Sequence, residues 1–167
     1  MECGTHWDIF DKKEGERIFR EKMNYILNLY SEPYELLLTG DILRRPEGGF
    51  SHIFKADTPT DDDNIKSRIE SAVFKYRHHG SSLDDRRQAV RDLADVLEYL
   101  RPKIKLTIDK KDESDLFNII NNFGVRHYNA LQKTDYDPLW LSWMFYLFLS
   151  TIHMSLRKIS KGDVPKT

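Results

Sequence analysis

Hydrophobic residues recur with helical spacing over most of the chain. In three segments the apolar positions return every three or four residues, which places them on one helical face, and charged residues fill the opposite face. The segments and their apolar positions are 14–30 (Ile18, Phe19, Met23, Ile26, Leu27, Tyr30), 61–77 (Ile65, Ile69, Val73, Tyr76) and 83–100 (Ala89, Val90, Leu93, Ala94, Val96, Leu97, Leu100). This pattern predicts three amphipathic helices.

The residues that flank the second and third segments predict where these helices begin and end. An acidic run at 61–63 can accept hydrogen bonds from the free N–H groups of a first turn, and Gly80 follows the second segment. Ser82 and Asp85 have the spacing of a capping box. We expect the third helix to end before Pro102, because proline lacks an N–H donor and clashes with the preceding turn. The two segments therefore predict a helical hairpin.

Two further helices are predicted in the second half of the chain. The acidic stretch 112–115 begins a fourth helix that carries Leu116, Ile120 and Phe123 inward. Asp137 followed by Pro138 is typical of a helix start, and this last helix is expected to run to about residue 159.

The last helix also raises the question of a membrane span. Residues 138–156 contain no Asp, Glu, Lys or Arg, and the stretch nearly reaches spanning length. Ser142, Ser150, Thr151 and His153 interrupt it, and the other helices need an apolar surface to pack against. We therefore expect a buried central helix and no membrane contact. His153 is interpreted as a packed core residue, with a role in a site as the alternative.

Residues 33–60 interrupt the helical pattern. Prolines and glycines punctuate short apolar pieces there, which indicates irregular structure, with a hairpin or short helices as options. Arg44 and Arg45 precede Gly48 and Gly49, and they could wrap a phosphate, although a turn with solvated arginines is the favoured interpretation. The predicted fold class is all-α, a bundle of four to five helices with an irregular Pro/Gly-rich segment near residues 33–60. Residues 1–167 are expected to form one domain, with an N-terminal helix and irregular segment at 1–60 and the bundle core at 61–160.

Composition limits the function classes. The 26 basic and 27 acidic side chains nearly cancel, so nucleic-acid binding would require a local basic surface. A single cysteine, Cys3, excludes an internal disulfide and any cysteine-based zinc site. A single cysteine fits a reducing compartment, and the N-terminus lacks a basic start followed by an apolar run. We therefore expect a cytoplasmic protein. No phosphate-binding glycine loop, serine–histidine elbow or carboxylate cluster at metal spacing occurs, so no metal or cofactor is expected.

Polar side chains concentrate at residues 121–133, between the last two predicted helices. If the fourth helix continues through this segment, Asn122, Arg126, Asn129 and Lys133 share one face. An arginine flanked by amides can grip a phosphate, because its guanidinium stays charged and offers a rigid fork of donors. It can equally meet an internal carboxylate, for which the candidates are Asp92, Asp95, Glu98 and Asp135. His127 falls on the apolar side of the same helix, where it could be a packed residue or part of a site.

The layout of residues 62–159, with Arg126 and His127 before the last helix, resembles the HEPN superfamily. These are small helical-bundle proteins of prokaryotic toxin–antitoxin and antiphage systems. Members that cut RNA carry an arginine, then a polar residue, and a histidine after a spacer of four to six residues. In this chain His127 follows Arg126 as the polar residue. A spacer of four to six residues after Arg126 leads to Leu131, Gln132 or Lys133, so that Gln132 stands where a histidine is expected.

The resemblance implies metal-independent RNA cleavage by a cytoplasmic homodimer that brings two such segments to one cleft. Arginine would stabilise the charge that develops on the phosphate, and histidine would move protons. The implied catalytic residues are Arg126, His127 and Asn129, and the implied RNA-contacting residues are Asn122, Gln132 and Lys133. Because Gln132 cannot shuttle a proton, His127 would have to do so, or the site only binds RNA. The alternative is a non-catalytic helical module that binds a partner protein or nucleotide through the polar stripe or the Arg44–Arg45 loop.

Overall fold

The computed structural model describes residues 11–46, 48–122 and 137–161, with Asn122 described in its backbone only. In these ranges the chain forms six helices and one two-stranded antiparallel sheet, which confirms the mostly helical fold class. The chain divides into two compact units, residues 1–45 and 46–167. In chain order the elements are α1 (Lys12–Leu27), β1 (Tyr34–Leu36), β2 (Ile42–Arg44), α2 (Ser51–Lys55), α3 (Asp63–Arg77), α4 (Leu83–Ile104), α5 (Lys110–Asn122) and α6 (Pro138–Ser160).

The first unit consists of α1 and a β-hairpin. The hairpin pairs Tyr34 with Arg44 and Leu36 with Ile42, and its turn contains Gly40 at a φ of 93°, a conformation that suits glycine. Asn24 of α1 joins the two parts: its Oδ1 accepts from the Leu36 N–H at 2.7 Å, and its Nδ2 donates to the Leu36 carbonyl at 3.1 Å. One amide side chain thus satisfies both backbone groups of a strand residue.

The apolar face of α1 is less buried than its pattern predicts. No residue of α1 is buried, and Phe19 and Ile26 are 60% and 48% exposed. Within the described part of this unit, the hairpin packs on α1 through strand β1. The predicted first helix is confirmed as α1.

The second unit is a helical bundle in which α3 and α6 pack on α4. Its helix starts agree with the sequence signals. The Asp62 carboxylate accepts from the N–H groups of Asn64 and Ile65, and Ser82 with Asp85 forms the predicted capping box. At α6, the Asp137 carboxylate accepts from the Leu139 N–H at 2.9 Å, and Pro138 occupies the first turn.

The core of this unit lies along α6. Five of its apolar residues are at most 1% exposed: Met144, Phe145, Phe148, Leu149 and Ile152. Phe145 stacks on Tyr76 of α3 at 3.8 Å between ring centroids, and the Tyr76 hydroxyl lies 2.8 Å from the Ser142 hydroxyl. Among the described helices α6 alone is long and apolar enough to cross a membrane, and half of its most apolar stretch is buried in the bundle.

The predicted C-terminal end of the third helix was wrong. Helix α4 continues through Pro102 to Ile104, although the proline lacks the N–H that would bond to the Glu98 carbonyl. Contacts on both sides of the proline favour the continued helix: Ile104 is fully buried, and Arg101 Nε lies 2.6 Å from the Glu113 carboxylate of α5. The Pro/Gly-rich segment contains the hairpin and the five-residue α2, both of which had been open options.

Candidate anion-binding site

The residues that the sequence singled out for catalysis and for RNA contact lie outside the described part of the chain. These are Arg126, His127, Asn129, Gln132 and Lys133, together with the side chain of Asn122. Two carboxylates proposed as internal partners of Arg126 have partners in the bundle. Asp92 accepts from Lys75 Nζ at 2.6 Å and from Gln88 Nε2 at 2.9 Å, and Glu98 lies 3.5 Å from Arg101 Nη1.

The Arg44–Arg45 segment also differs from its predicted form. Arg44 belongs to strand β2, and its Nη1 forms an ion pair with Glu32 Oε2 at 2.7 Å. Arg45 is exposed just beyond the strand. The guanidinium of Arg44 is therefore held by a carboxylate of its own unit, which weakens the phosphate interpretation of this segment.

A different group of cationic residues lines a cleft of about 470 Å³ between α2 and the C-terminal half of α6. Helix α6 exposes positions 150, 154, 157 and 161 in this cleft, at the three- and four-residue intervals of one helical face. Helix α2 forms the other wall. The described lining residues are His52, Ile53, Ala56, Ser150, His153, Met154, Arg157, Lys158 and Lys161.

The charge of this cleft is one-sided. One guanidinium, two ammonium groups and two imidazoles line it, and no carboxylate occurs among the described lining residues. Arg157 and Lys161 are exposed, and neither forms an ion pair within the described ranges. Because they stand one helical turn apart, their charges add in the same small space. The cleft is therefore a local basic surface on a protein of nearly neutral net charge.

The third cation of the cleft is the ammonium group of Lys158, which a backbone carbonyl holds in place. Its Nζ donates to the backbone carbonyl of Thr107 at 2.9 Å, in the turn that follows α4. An ammonium group has three donors, so two remain after this bond. The lysine is thus positioned by the fold and can still donate to a ligand.

Among the described residues that line the cleft, only His153 has a buried side-chain polar atom without a hydrogen-bond partner. The residue is 8% exposed, and its Nδ1 has no partner within the described ranges. Burial, and to a smaller extent the charge of Arg157, lowers the pKa of the imidazole. A buried polar atom without a partner costs roughly 1–3 kcal/mol. A ligand that entered the cleft and hydrogen-bonded this nitrogen would remove that cost.

Sequence reasoning missed this cleft for an identifiable reason. His153 was interpreted as a core residue, and the structure does bury it, yet it also lines the cleft. The opposite wall belongs to α2, a five-residue helix that the sequence left as irregular. The sequence did contain a signal for the cleft. Residues 150, 154, 157 and 161 share one helical face, and the last two of them are basic.

An exposed aromatic patch occupies the opposite end of α6. Leu139, Trp140 and Trp143 are 71%, 48% and 43% exposed, and with Asp137 they line a shallow depression. The two indole rings meet edge to face, with 5.5 Å between their centroids. Large exposed apolar groups of this kind are typical of binding surfaces.

Within the described ranges no group of three or more His, Cys, Asp or Glu residues could hold a metal ion. No model of a known protein family matches this chain, and neither a curated protein nor a solved structure matches it.

Proposed function

We propose that this protein binds RNA and that the cleft between α2 and α6 holds the RNA through its phosphate groups. The observation that carries the proposal is the combination of Arg157, Lys158 and Lys161 with a buried, unpaired nitrogen of His153, in a space whose described lining has no carboxylate. Phosphate oxygens accept hydrogen bonds from all of these groups. RNA is chosen as the source of the phosphate because of the HEPN-like pattern in the sequence.

A competing explanation is that basic residues near a helix end only stabilise the helix dipole. It accounts for Arg157 and Lys158 in the last turn of α6. It does not account for His52 on the facing helix or for the unpaired nitrogen of His153. The phosphate-binding cleft and the helix-dipole explanation make different predictions for the affinity of the protein for RNA.

The test compares wild-type protein with Arg157→Gln/Lys161→Gln, using the fluorescence anisotropy of a labelled single-stranded RNA. The matched control is Lys110→Gln/Lys111→Gln, which removes the same charge from exposed positions of α5. We expect the cleft variant to bind at least about tenfold more weakly and the control to bind like the wild type. The dependence of log affinity on log salt should flatten by about 1.4 in the cleft variant, because each phosphate contact to a single strand contributes about 0.7.

Further arms identify the source of the phosphate. Single-stranded DNA of the same sequence, a mononucleotide and inorganic phosphate are titrated as competitors. Displacement of RNA by millimolar mononucleotide alone would assign the cleft to a free nucleotide. Equal binding of RNA by the cleft variant and the wild type would refute the proposal.

RNA cleavage is a separate part of the proposal and rests on the sequence pattern around Arg126. Metal-free incubation with single-stranded RNA and tRNA should give products that disappear in Arg126→Ala and His127→Ala, because one side chain is expected to stabilise the phosphate charge and the other to move protons. Products that persist in both variants would come from a contaminating nuclease. Binding without cleavage would leave a non-catalytic RNA-binding module.

The proposed homodimer is tested by size-exclusion chromatography with light scattering. A shared RNA cleft requires two copies related by symmetry, so a strict monomer cannot form it. A monomer that still binds RNA through the cleft of α2 and α6 would retain the binding proposal and remove the shared-cleft model of cleavage.

A further inference from the structure

We infer that the cleft between α2 and α6 holds a terminal phosphate monoester in preference to the phosphodiesters inside a strand. Such a group occurs at the end of a nucleotide strand and on a free mononucleotide. The assignment rests on the proposed function, because it concerns the same cleft. It adds the class of phosphate and the direction in which the ligand lies.

The cations of the cleft lie at one end of its α6 wall. This wall begins at Ser150 and ends at Lys161, a rise of about 16 Å at 1.5 Å per residue. Ser150 and Met154 carry no charge, whereas residues 157, 158 and 161 are all basic and lie within the last 6 Å or so of that rise. A ligand that matches this wall therefore carries its negative charge at one end.

The amount of positive charge also suits a monoester. Arg157 and Lys161 form no ion pair among residues 11–46, 48–122 and 137–161, and Lys158 Nζ is bonded to a neutral carbonyl at 2.9 Å. A monoester carries about −1.5 to −2 charges near pH 7 and three acceptor oxygens. A diester inside a strand carries a single charge, and one of those oxygens is esterified. The monoester therefore neutralises more of the cationic cluster and accepts more of its hydrogen bonds.

A strand that passes through the cleft matches the charge less well. A stacked strand carries one phosphate about every 3.4 Å, so about five phosphates would lie along the α6 wall. Only those near Arg157 and Lys161 would meet a cation, and the others would lie beside the uncharged Ser150 and Met154. A ligand with one terminal phosphate avoids this mismatch.

The uncharged part of the lining suits the nucleoside that carries the phosphate. Ile53 and Ala56 of α2 are half-buried, and Met154 of α6 is 38% exposed. The thioether of methionine makes favourable contacts with aromatic rings, which a nucleobase supplies. His153 lies one turn before Arg157, and its Nδ1 can accept or donate a hydrogen bond according to the tautomer. Apolar contacts and a polar group thus stand next to the cations.

The first experiment compares two small ligands on wild-type protein by isothermal titration calorimetry. They are uridine 5′-monophosphate and its methyl ester, which keeps the nucleoside but loses one charge and one free oxygen. We expect the ester to bind at least about tenfold more weakly, because it loses a hydrogen bond to a charged group. Inorganic phosphate should also bind more weakly than the monophosphate, because it lacks the nucleoside. No protein variant is needed for either comparison.

The second experiment places the monoester in the cleft. Short oligouridylates that carry a phosphate at the 5′ end, at the 3′ end or at neither end are titrated into wild-type protein, Arg157→Gln/Lys161→Gln and the control Lys110→Gln/Lys111→Gln. We expect wild type and control to prefer one of the phosphorylated strands at least about tenfold over the strand without a terminal phosphate. The preference should fall below about threefold in the cleft variant. Circular dichroism shows whether each variant retains its helices.

The outcomes separate this ligand class from the proposed function. If all three strands bind equally and the cleft variant weakens all of them equally, the cleft binds diesters; the monoester assignment is then wrong, and the proposed function stands. A preference for a terminal phosphate that persists in the cleft variant would place that phosphate elsewhere and also overturn the assignment. Binding of the mononucleotide without binding of any strand would support the monoester and refute the RNA proposal. If no phosphate compound binds, both fail.

Discussion

Replacing Arg101 by methionine tests whether the end of α4 is held to α5 by a partly buried ion pair. Arg101 Nε lies 2.6 Å from Glu113 Oε1, and its guanidinium sits over the Phe117 ring at 4.1 Å. Methionine preserves the contact with the ring but leaves the Glu113 carboxylate without its closest cation. The side chain of Glu113 is 8% exposed, so water cannot replace the lost partner fully.

The magnitude follows from the burial of the two partners. Breaking a buried ion pair from one side costs about 3–5 kcal/mol, whereas an exposed pair contributes about 0–1 kcal/mol. The Arg101 side chain is 32% exposed, and Lys105 Nζ remains 3.9 Å from Glu113. We therefore expect the free energy of unfolding to fall by about 2–3 kcal/mol. For a protein of this size that corresponds to a decrease in Tm of roughly 4–12 °C.

Urea unfolding followed by circular dichroism at 222 nm measures this free energy for Arg101→Met, Glu113→Leu and the double variant. The double variant should recover most of the loss, because it no longer buries an unpaired charge. The matched control is Arg87→Met, whose partner Asp84 is 86% exposed; it should change stability by less than about 1 kcal/mol. Arg101→Met within about 0.5 kcal/mol of the wild type, or a double variant no more stable than Arg101→Met, would show that the pair does not stabilise the fold.

Three further predictions concern single side chains. Ser155 is fully buried, and its hydroxyl has no hydrogen-bond partner in the part of the chain that the structure describes. Ser155→Ala should therefore raise the free energy of unfolding by about 1 kcal/mol in urea titrations, and an unchanged or lower value would contradict this. Burial lowers the pKa of His153 in the folded state, so the free energy of unfolding should fall as the pH drops below the unfolded pKa of about 6.5. The fall should be smaller in His153→Gln, and equal pH profiles of the two proteins would refute this prediction. Asn24→Ala should speed amide exchange at Leu36, whose N–H loses its acceptor, while exchange in α4 stays unchanged; protection retained at Leu36 would contradict the anchoring role.

The parts of the fold that the sequence predicted correctly depend on local signals. The capping box at Ser82 and Asp85 and the Asp137–Pro138 start of α6 involve residues close together in sequence, and both were confirmed. The prediction for the end of α4 was wrong, because contacts of Arg101 and Ile104 with distant residues outweigh the local effect of Pro102. The apolar residues of α1 were recognised by their spacing, but none of them is buried, because periodicity shows which residues share a face and not whether a partner surface exists.

The candidate site could be predicted only in part. The basic end of α6 was visible in the sequence as Arg157 and Lys158, but its facing wall depends on where the short helix α2 packs. That position is set by ring contacts between residues far apart in sequence, such as Phe54 with Phe145. The catalytic roles expected for Arg126, His127 and Asn129 stay predictions, because these residues lie outside the described ranges.

The bond from Lys158 to the Thr107 carbonyl gives the cleft a built-in reporter. Thr107 is 3% exposed, and its own N–H donates to the Ile104 carbonyl at the end of α4. An anion that draws the ammonium toward itself would lengthen the lysine bond and alter the polarisation of the adjoining peptide group. The backbone carbonyl chemical shift of Thr107 should therefore follow occupancy of the cleft, which would allow titration with an unlabelled ligand.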